Sequence, residues 1–101
     1  MSLHTLNKSP FSSHVAGECL AILQGTDTLI LLEDGVYCGL ELSAISSVLQ
    51  QKIIDGLSVY YISADAQARG IQDKISNELT PINYTKFVEL ATEHKPITSW
   101  F

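Results

Sequence analysis

Cys19 and Cys38 are the two side chains of this sequence best suited to act as nucleophiles. Cys38 follows a predicted strand within a polar loop, where Glu33 and Asp34 would raise the pKa of its thiol by like-charge repulsion. Cys19 lies near the middle of a predicted helix, too far from the helix N-terminus to gain a lowered pKa. The alternative for each is structural: Cys38 as an incidental small loop residue, and Cys19 as a buried hydrophobic residue.

The remaining reactive side chains do not combine into a recognisable site. His4, His14 and His94 include no i, i+4 pair, and the histidines and cysteines lack zinc-ligand spacing, so we expect no metal site. The sequence contains neither G-x-G-x-x-G nor a Walker A motif, so we expect no nucleotide cofactor. Glu33 and Asp34 could form an acid/base pair, or they could be solvated loop residues.

Four strands are predicted, and each is followed by a predicted helix. The second strand is apolar throughout, which indicates burial on both faces as in a parallel sheet covered by helices. Pro81 should restrict the fourth strand to an edge or an end. The predicted strands are Leu3–Leu6, Thr28–Leu32, Leu57–Ile62 and Leu79–Ile82.

Apolar residues three or four positions apart predict the helices. Asn83 and Ser63 are expected to cap two of them, and Gly70 to end one in a left-handed conformation. Arg69 would be either a cation that favours a helix end or a functional anchor. The marker residues are Val15, Ala16, Cys19, Leu20, Ile22 and Leu23 for the first helix, capped by Ser12 or Ser13; Leu42, Ile45 and Leu49 for the second; Ala64 to Arg69 for the third; and Tyr84, Phe87, Val88 and Ala91 for the fourth.

This alternation predicts an α/β fold in which residues 1–101 form one small domain. We expect a mostly parallel sheet of four to five strands with helices on both faces, joined by right-handed crossovers. Reactive groups should gather beyond the carboxyl ends of the strands, in the segments 7–11, 33–39, 63–65 and 83–85.

Composition restricts the function. The net charge is −5, from 6 Lys and Arg against 11 Asp and Glu, so the chain lacks the basic face of a direct nucleic-acid binder. The longest aliphatic run, Leu29–Leu32, is too short to span a bilayer, and no signal peptide is apparent. We therefore expect a cytoplasmic protein with reduced thiols and no membrane partner.

The aromatic residues Trp100 and Phe101 end the sequence. Large aromatic side chains near a terminus tend to dock on a surface. With Tyr84 and Phe87 they could form an interaction surface for a partner. The alternative is that they dock on the chain itself and cover a sheet edge.

Five segments, read together, resemble the DsrH/TusB family along nearly the whole chain. Each match is weak alone, but five in order at the right spacings are fairly specific. The segments are LHTLNKSPF from Leu3, similar to the family's "LHT…SPF/W" start; LLEDGVY from Leu31, similar to "LL-[EQ]-D-G-V"; DAQARGI from Asp65, similar to "D-x-x-A-R-G-[IL]"; NYTKFVEL from Asn83, similar to "[DN]-Y-T-D-F-V-x-L"; and Glu93-His94 with Trp100, similar to the closing "H…W".

The resemblance implies a DsrE-like fold and a place in a sulfur-relay complex. The implied partners are sibling DsrE/DsrF-like (TusD/TusC-like) subunits, in a dimer of heterotrimers. The complex would pass persulfide sulfur to a small DsrC/TusE-like carrier, serving either tRNA wobble-uridine 2-thiolation or cytoplasmic sulfur oxidation. The main sulfur-bearing cysteine would belong to a sibling.

Two details of the resemblance bear on this chain's own role. A cysteine in the first helix, where Cys19 stands, is typical of DsrH-type members, as are Glu33 and Tyr37. They favour the sulfur-oxidation branch and make Cys19 a possible sulfur acceptor. The alternative is a purely structural or interaction subunit without sulfur chemistry of its own, which burial of Cys19 would favour.

Overall fold

The helices and strands alternate along the chain as the sequence predicts, and one further strand follows the last helix. The structure, a computed structural model, describes residues 2–11, 14–41, 45–94 and 96–100. The strands are β1 (Leu3–Leu6), β2 (Thr28–Leu31), β3 (Ser58–Ile62), β4 (Thr80–Ile82) and β5 (Ile97–Trp100). The helices are α1 (Val15–Ile22), α2 (Ser46–Ile54), α3 (Ser63–Ala68) and α4 (Tyr84–Glu93), with 3-10 helices at Glu33–Gly39 and Gln72–Lys74.

All five strands pair in parallel in the order β4-β3-β2-β1-β5. The predicted α/β class and parallel sheet are thus confirmed. The central strand β2 is buried at every position, and β4 carries Pro81 at an edge, both as predicted. β5 was not predicted, because its four residues are mostly exposed and show no apolar pattern.

The helices cover the two faces of the sheet unequally. The larger core cluster unites Ala16 and Leu20 of α1, Leu49 of α2 and Ala66 of α3, so these helices share the three-helix face. The smaller cluster joins Leu90 of α4 to the strands, so α4 alone covers the one-helix face. This division follows from the strand order, because right-handed connections from β1 to β4 cross one face and the return to β5 crosses the other.

The predicted apolar face of α1 is partly wrong. The structure buries Ala16, Cys19, Leu20 and the following Leu23, whereas Ile22 is 56% exposed. The buried residues Ala16, Cys19, Leu20 and Leu23 follow i, i+3, i+4, i+7 spacing and share one helix face, and Ile22 lies off that face. In the other helices, Leu49 is buried as predicted, Leu42 lies outside the described residues, and α4 buries Leu90 while leaving Tyr84 and Val88 exposed.

Asn83 caps α4 as predicted: its Oδ1 accepts a hydrogen bond from the Lys86 backbone N–H at 2.8 Å. Gly70 adopts the predicted left-handed conformation, with φ of 68°. The predicted Ser63 cap is wrong, since Ser63 is the first residue of α3 and its hydroxyl instead donates to the Ile82 carbonyl at 3.3 Å. Ser12 and Ser13 lie outside the described residues. No helix in the described ranges could cross a membrane.

The first 3-10 helix packs against the end of β1 at Gly35. A Cβ atom there would collide with the Leu6 backbone carbonyl, and it would lie 3.2 Å from the Asn7 Cα. The Leu32 N–H also donates to the Leu6 carbonyl, at 3.1 Å. Only glycine fits this approach, which fixes the segment after β2 against the sheet.

We expect Gly35→Ala to lower the free energy of unfolding by about 2–4 kcal/mol, because the collision is with backbone and cannot be relieved by a side-chain rotation. Urea denaturation would measure the change. The matched control is Gly17→Ala in α1, where a Cβ would meet nothing within 4 Å. That variant should be neutral or stabilised by up to about 1 kcal/mol, and equal effects at both positions would contradict the packing argument.

Candidate functional site

Three of the four predicted carboxyl-edge segments meet around Asp65, and the fourth, 7–11, contacts the segment 33–39 through Lys8 and Phe11. Glu33 and Asp34 follow β2, Asp65 and Arg69 belong to α3 and its end after β3, and Tyr84 begins α4 after β4. Because β2, β3 and β4 are neighbours in the sheet, their following segments converge. We call these five residues the carboxyl-edge cluster, and all five come from the motifs that carry the family resemblance.

Asp65 is the centre of this cluster. Its Oδ2 accepts a hydrogen bond from the Glu33 backbone N–H at 2.7 Å and one from the Tyr84 hydroxyl at 3.3 Å. Partial burial, together with the negative charge and hydrogen bond of Asp65, raises the pKa of the Tyr84 hydroxyl. Tyr84 therefore acts as a hydrogen-bond donor and not as a phenolate near neutral pH.

Arg69 ties the two carboxylate segments together. Its Nε donates to Asp34 Oδ1 at 2.9 Å, and its Nη1 donates to the Asp65 backbone carbonyl at 3.1 Å. Arg69 therefore anchors the segment after β2 to α3, in addition to lying at a helix end. Asp34 is engaged in this ion pair, and the acid/base pairing of Glu33 with Asp34 stays a prediction.

Glu33 adopts a left-handed conformation, with φ of 51°, and it is the one described non-glycine residue that does so. That conformation is unfavourable for a residue with a β-carbon, and it persists only where contacts hold it. The Asp65 carboxylate supplies such a contact by binding the Glu33 N–H. The cluster thus holds a strained turn in place at an exposed edge. Within the described ranges, no three His, Cys, Asp or Glu residues lie together as metal ligands.

The structure places both cysteines in the core beneath the three-helix face and not at the edge. Cys19 is 0% exposed and Cys38 is 1% exposed, and neither forms a disulfide. Burial raises the pKa of Cys19 to about 12; burial and then the nearby Cys19 raise that of Cys38 to about 12. The Cys38 Sγ lies 3.7 Å from the Lys8 carbonyl oxygen.

The expected rise in the Cys38 pKa has a different cause from the one predicted. Desolvation raises it, not the carboxylates of Glu33 and Asp34, because the 3-10 helix turns Cys38 inward. Cys38 is therefore a core residue and not an incidental loop residue. A thiol with a pKa near 12 is almost wholly protonated at neutral pH and is a poor nucleophile. The acceptor role of Cys19 stays a prediction, and burial argues against it.

The aromatic end of the chain docks on the chain's own sheet. Trp100 packs against the core of the three-helix face, and its Nε1 donates to His4 Nδ1 at 3.1 Å. The strand that contains it covers the open edge of β1, as the self-docking alternative predicted. Phe101 lies outside the described residues.

His4 is buried in the sheet, and each of its two ring nitrogens lies beside another side chain. Because its Nδ1 accepts from Trp100, the proton of the neutral ring lies on Nε2, which is 3.5 Å from Asp27 Oδ2. Asp27 was not among the predicted site residues, although an aspartate in the turn before a buried strand, here between Gly25 and Thr28, commonly binds backbone N–H groups. Asp27 Oδ1 accepts from the Ser2 N–H at 3.2 Å, and Oδ2 accepts from the Gln24 N–H at 2.9 Å.

Comparisons with known proteins agree on one family. The profile of the family described as "DsrH like protein" matches residues 8–97. A protein named TusB from Escherichia coli is 38% identical over 98 residues, which are 97% of this chain and 99% of that protein. A TusB protein from Buchnera aphidicola is also 38% identical, with the same coverage of both chains.

Solved structures agree on the fold. The ychN protein of Escherichia coli superposes with a TM-score of 0.85 at 15% identity, covering 97% of both chains. The protein MTH1491 of Methanobacterium thermoautotrophicum, described as of unknown function, superposes with a TM-score of 0.75 at 14% identity, covering 97% of this chain and 96% of that one.

We expect Asp27→Asn to destabilise the protein by about 1–2 kcal/mol at pH 7, because an amide cannot accept both backbone hydrogen bonds and the His4 contact. Burial alone would raise the pKa of Asp27, but the Gln24 and Ser2 N–H groups and His4 together lower it below its ordinary value. The carboxylate's contribution is therefore present above the ordinary pKa of an aspartate and is lost as the pH falls through the lower folded pKa. Urea unfolding of both proteins at several pH values should show the difference shrinking in acid, and a difference independent of pH would contradict this.

Asp65→Asn should cost about 1 kcal/mol of stability, because it weakens the hydrogen bonds to the Glu33 N–H and the Tyr84 hydroxyl. It should also lower the pKa of Tyr84, which ultraviolet difference titration against Tyr84→Phe would measure. The control is Asp73→Asn, which removes an equal charge from an exposed 3-10 helix. If Asp73→Asn moved the Tyr84 pKa as far, the effect would be one of net charge.

Proposed function

The chain belongs to the DsrH/TusB family, and from that membership we propose that it is a subunit of a cytoplasmic sulfur-relay complex. In this proposal the complex transfers persulfide sulfur, and this subunit contributes binding surface and shape instead of a reactive thiol. The observation that carries the proposal is the combination of a family match across nearly the whole chain with the burial of both thiols.

Burial makes sulfur transfer through this chain slow. An acceptor persulfide forms when the acceptor thiolate attacks the outer sulfur of a donor persulfide and displaces the donor thiolate, so the acceptor needs an ionised and accessible cysteine. Cys19 and Cys38 are neither, since both lie in the core with pKa values of about 12. The sulfur-bearing cysteine is therefore expected on a sibling subunit, as the family resemblance implies.

The proposed partners are the sibling DsrE/DsrF-like (TusD/TusC-like) subunits and, through them, a DsrC/TusE-like carrier. Large apolar side chains are exposed on separate parts of the surface, which supports contacts with more than one neighbour. Phe11 is 63% exposed beside the 3-10 helix, Ile54 is 75% exposed on α2, and Val88 is 59% exposed on α4. The excess of acidic residues favours protein partners over direct contact with tRNA.

We favour tRNA wobble-uridine 2-thiolation as the destination of the sulfur. Relatives that match this chain over nearly its whole length carry the name TusB, and the family resemblance implies this modification for the TusB branch. Cys19, Glu33 and Tyr37 favour the DsrH branch and sulfur oxidation, which stays the alternative prediction. The burial of Cys19 weakens the argument for the DsrH branch, because packing in the core is enough to explain a cysteine at this position.

We expect the folded protein to gain no sulfur on exposure to glutathione persulfide, as measured by intact-protein mass. In denaturing urea the same protein should gain sulfur, since unfolding exposes both thiols, and Cys19→Ala and Cys38→Ala should each remove one site. Sulfur bound to the folded protein and lost only in Cys19→Ala would overturn the surface role and make Cys19 an acceptor.

In a bacterium that lacks its own TusB, expression of this chain with its siblings should restore 2-thiouridine in tRNA, measured by nucleoside mass spectrometry. Cys19→Ala should restore it equally well, because the thiol is not part of the relay. A chain that co-purifies with its siblings but leaves tRNA unthiolated would contradict the 2-thiolation assignment while leaving the relay assignment intact.

A further inference from the structure

The two edges of the sheet differ in their capacity to accept another strand. The edge strand β4 spans three residues and contains Pro81, which has no N–H to donate. The edge strand β5, Ile97–Trp100, contains neither proline nor a charged residue. Proteins usually protect sheet edges with proline, charge, a bulge or a very short strand; β5, with four residues, is short but lacks the proline that blocks β4.

The hydrogen bonds of β5 show which of its backbone groups face outward. The Leu3 N–H donates to the Pro96 carbonyl at 3.1 Å, and the Asn7 N–H donates to the Trp100 carbonyl at 3.4 Å. In a parallel ladder, alternate residues face the neighbouring strand, so residues 96, 98 and 100 face β1. The N–H and C=O groups of Ile97 and Ser99 therefore point away from the sheet.

A groove runs beside β5 on the one-helix face. It has a volume of about 280 Å³, because α4 covers the sheet only partly, and Ile97 and Ser99 line it together with Phe87 and Ala91 of α4. Ile97 is 48% exposed there. A strand added to β5 would cover this side chain and extend the wall of the groove.

From these features we propose that β5 is a docking edge for a second copy of this chain, with the two β5 strands paired antiparallel. Antiparallel pairing of Ile97 with Ser99 of the other copy, and of Ser99 with its Ile97, would use all four outward backbone groups of each strand. The two-fold axis then passes between the two Thr98 residues. The two sheets become one continuous sheet of ten strands.

The chemistry of β5 is self-complementary in this arrangement. No charged side chain of Ile97–Trp100 meets its own copy across the axis, so the paired strands add no like-charge repulsion of their own. The residue on the axis is threonine, and threonine pairs across antiparallel strands favourably. On the groove side each Ile97 packs beside the small Ser99 of the other copy. The inference depends on backbone geometry and does not rest on the proposed function.

Cross-linking tests the register. The two Thr98 residues would form a non-hydrogen-bonded pair, whose Cα atoms lie about 4.5 Å apart, within the range of a disulfide. We expect Thr98→Cys, mildly oxidised with glutathione disulfide, to form a disulfide-linked dimer on non-reducing gels. Thr80→Cys, exposed on the blocked β4 edge, is the matched control and should remain monomeric. Equal cross-linking of the two variants, or none, would overturn the proposal.

Sedimentation equilibrium tests the pairing without a cross-link. Ser99→Pro removes one outward N–H without touching the bonds to β1, and it should weaken the dimer about tenfold or more, since two such bonds are lost across the axis. Ser99→Ala keeps the N–H and should dimerise like the wild type. A protein that is monomeric at every concentration, or a dimer that Ser99→Pro does not weaken, would overturn the proposal.

Cross-linking within the complex of sibling subunits tests whether the strand that pairs with β5 there comes from a second copy or from another subunit. If Thr98→Cys cross-links to itself within the reconstituted complex, β5 joins two copies there as well. If it cross-links to a cysteine placed in an edge strand of a sibling and never to itself, β5 is a docking edge for another subunit, and the second-copy proposal is wrong.

Discussion

Parallel pairing is the constraint on which the rest of this structure depends. A parallel strand begins at the same end of the sheet as its neighbour, so every connection must cross a face and carry a helix with it. In this chain three connections cross one face and one crosses the other, because the order is β4-β3-β2-β1-β5. The three-helix face therefore contains most of the core, whereas α4 alone leaves part of the opposite face open.

The same constraint explains why much of the fold could be predicted from sequence. A strand buried on both faces, such as β2, has an unbroken apolar run, and that pattern is local. Local chemistry likewise identified Asn83 as a cap, Pro81 as an edge residue and Gly70 as a helix stop. These features depend on residues within a turn or two of each other, which sequence displays directly.

What sequence could not provide depends on tertiary contacts. Residues Ile97–Trp100 form a strand because β1 offers an open edge, not because their own pattern requires one. His4 and Trp100 pair although 96 positions separate them, and Asp65 reaches Glu33 across 32 positions. The 3-10 helix turns the Cys38 side chain into the core, and the polar sequence Glu33-Asp34-Gly35 does not predict that helix. The family motifs contain His4, Glu33, Asp65 and Trp100, and the fold shows that these four residues maintain structure.

The burial of Cys19 and Cys38 has a consequence for any complex that handles persulfides. Persulfide sulfur is exchangeable, and each surface thiol along its route is a branch point at which it can be diverted or released as sulfide. A subunit that keeps its thiols protonated inside a packed core adds no such branch point, while it also escapes alkylation and oxidation by small molecules. Chemical inertness is in this sense a property that an accessory subunit can contribute to the fidelity of sulfur delivery.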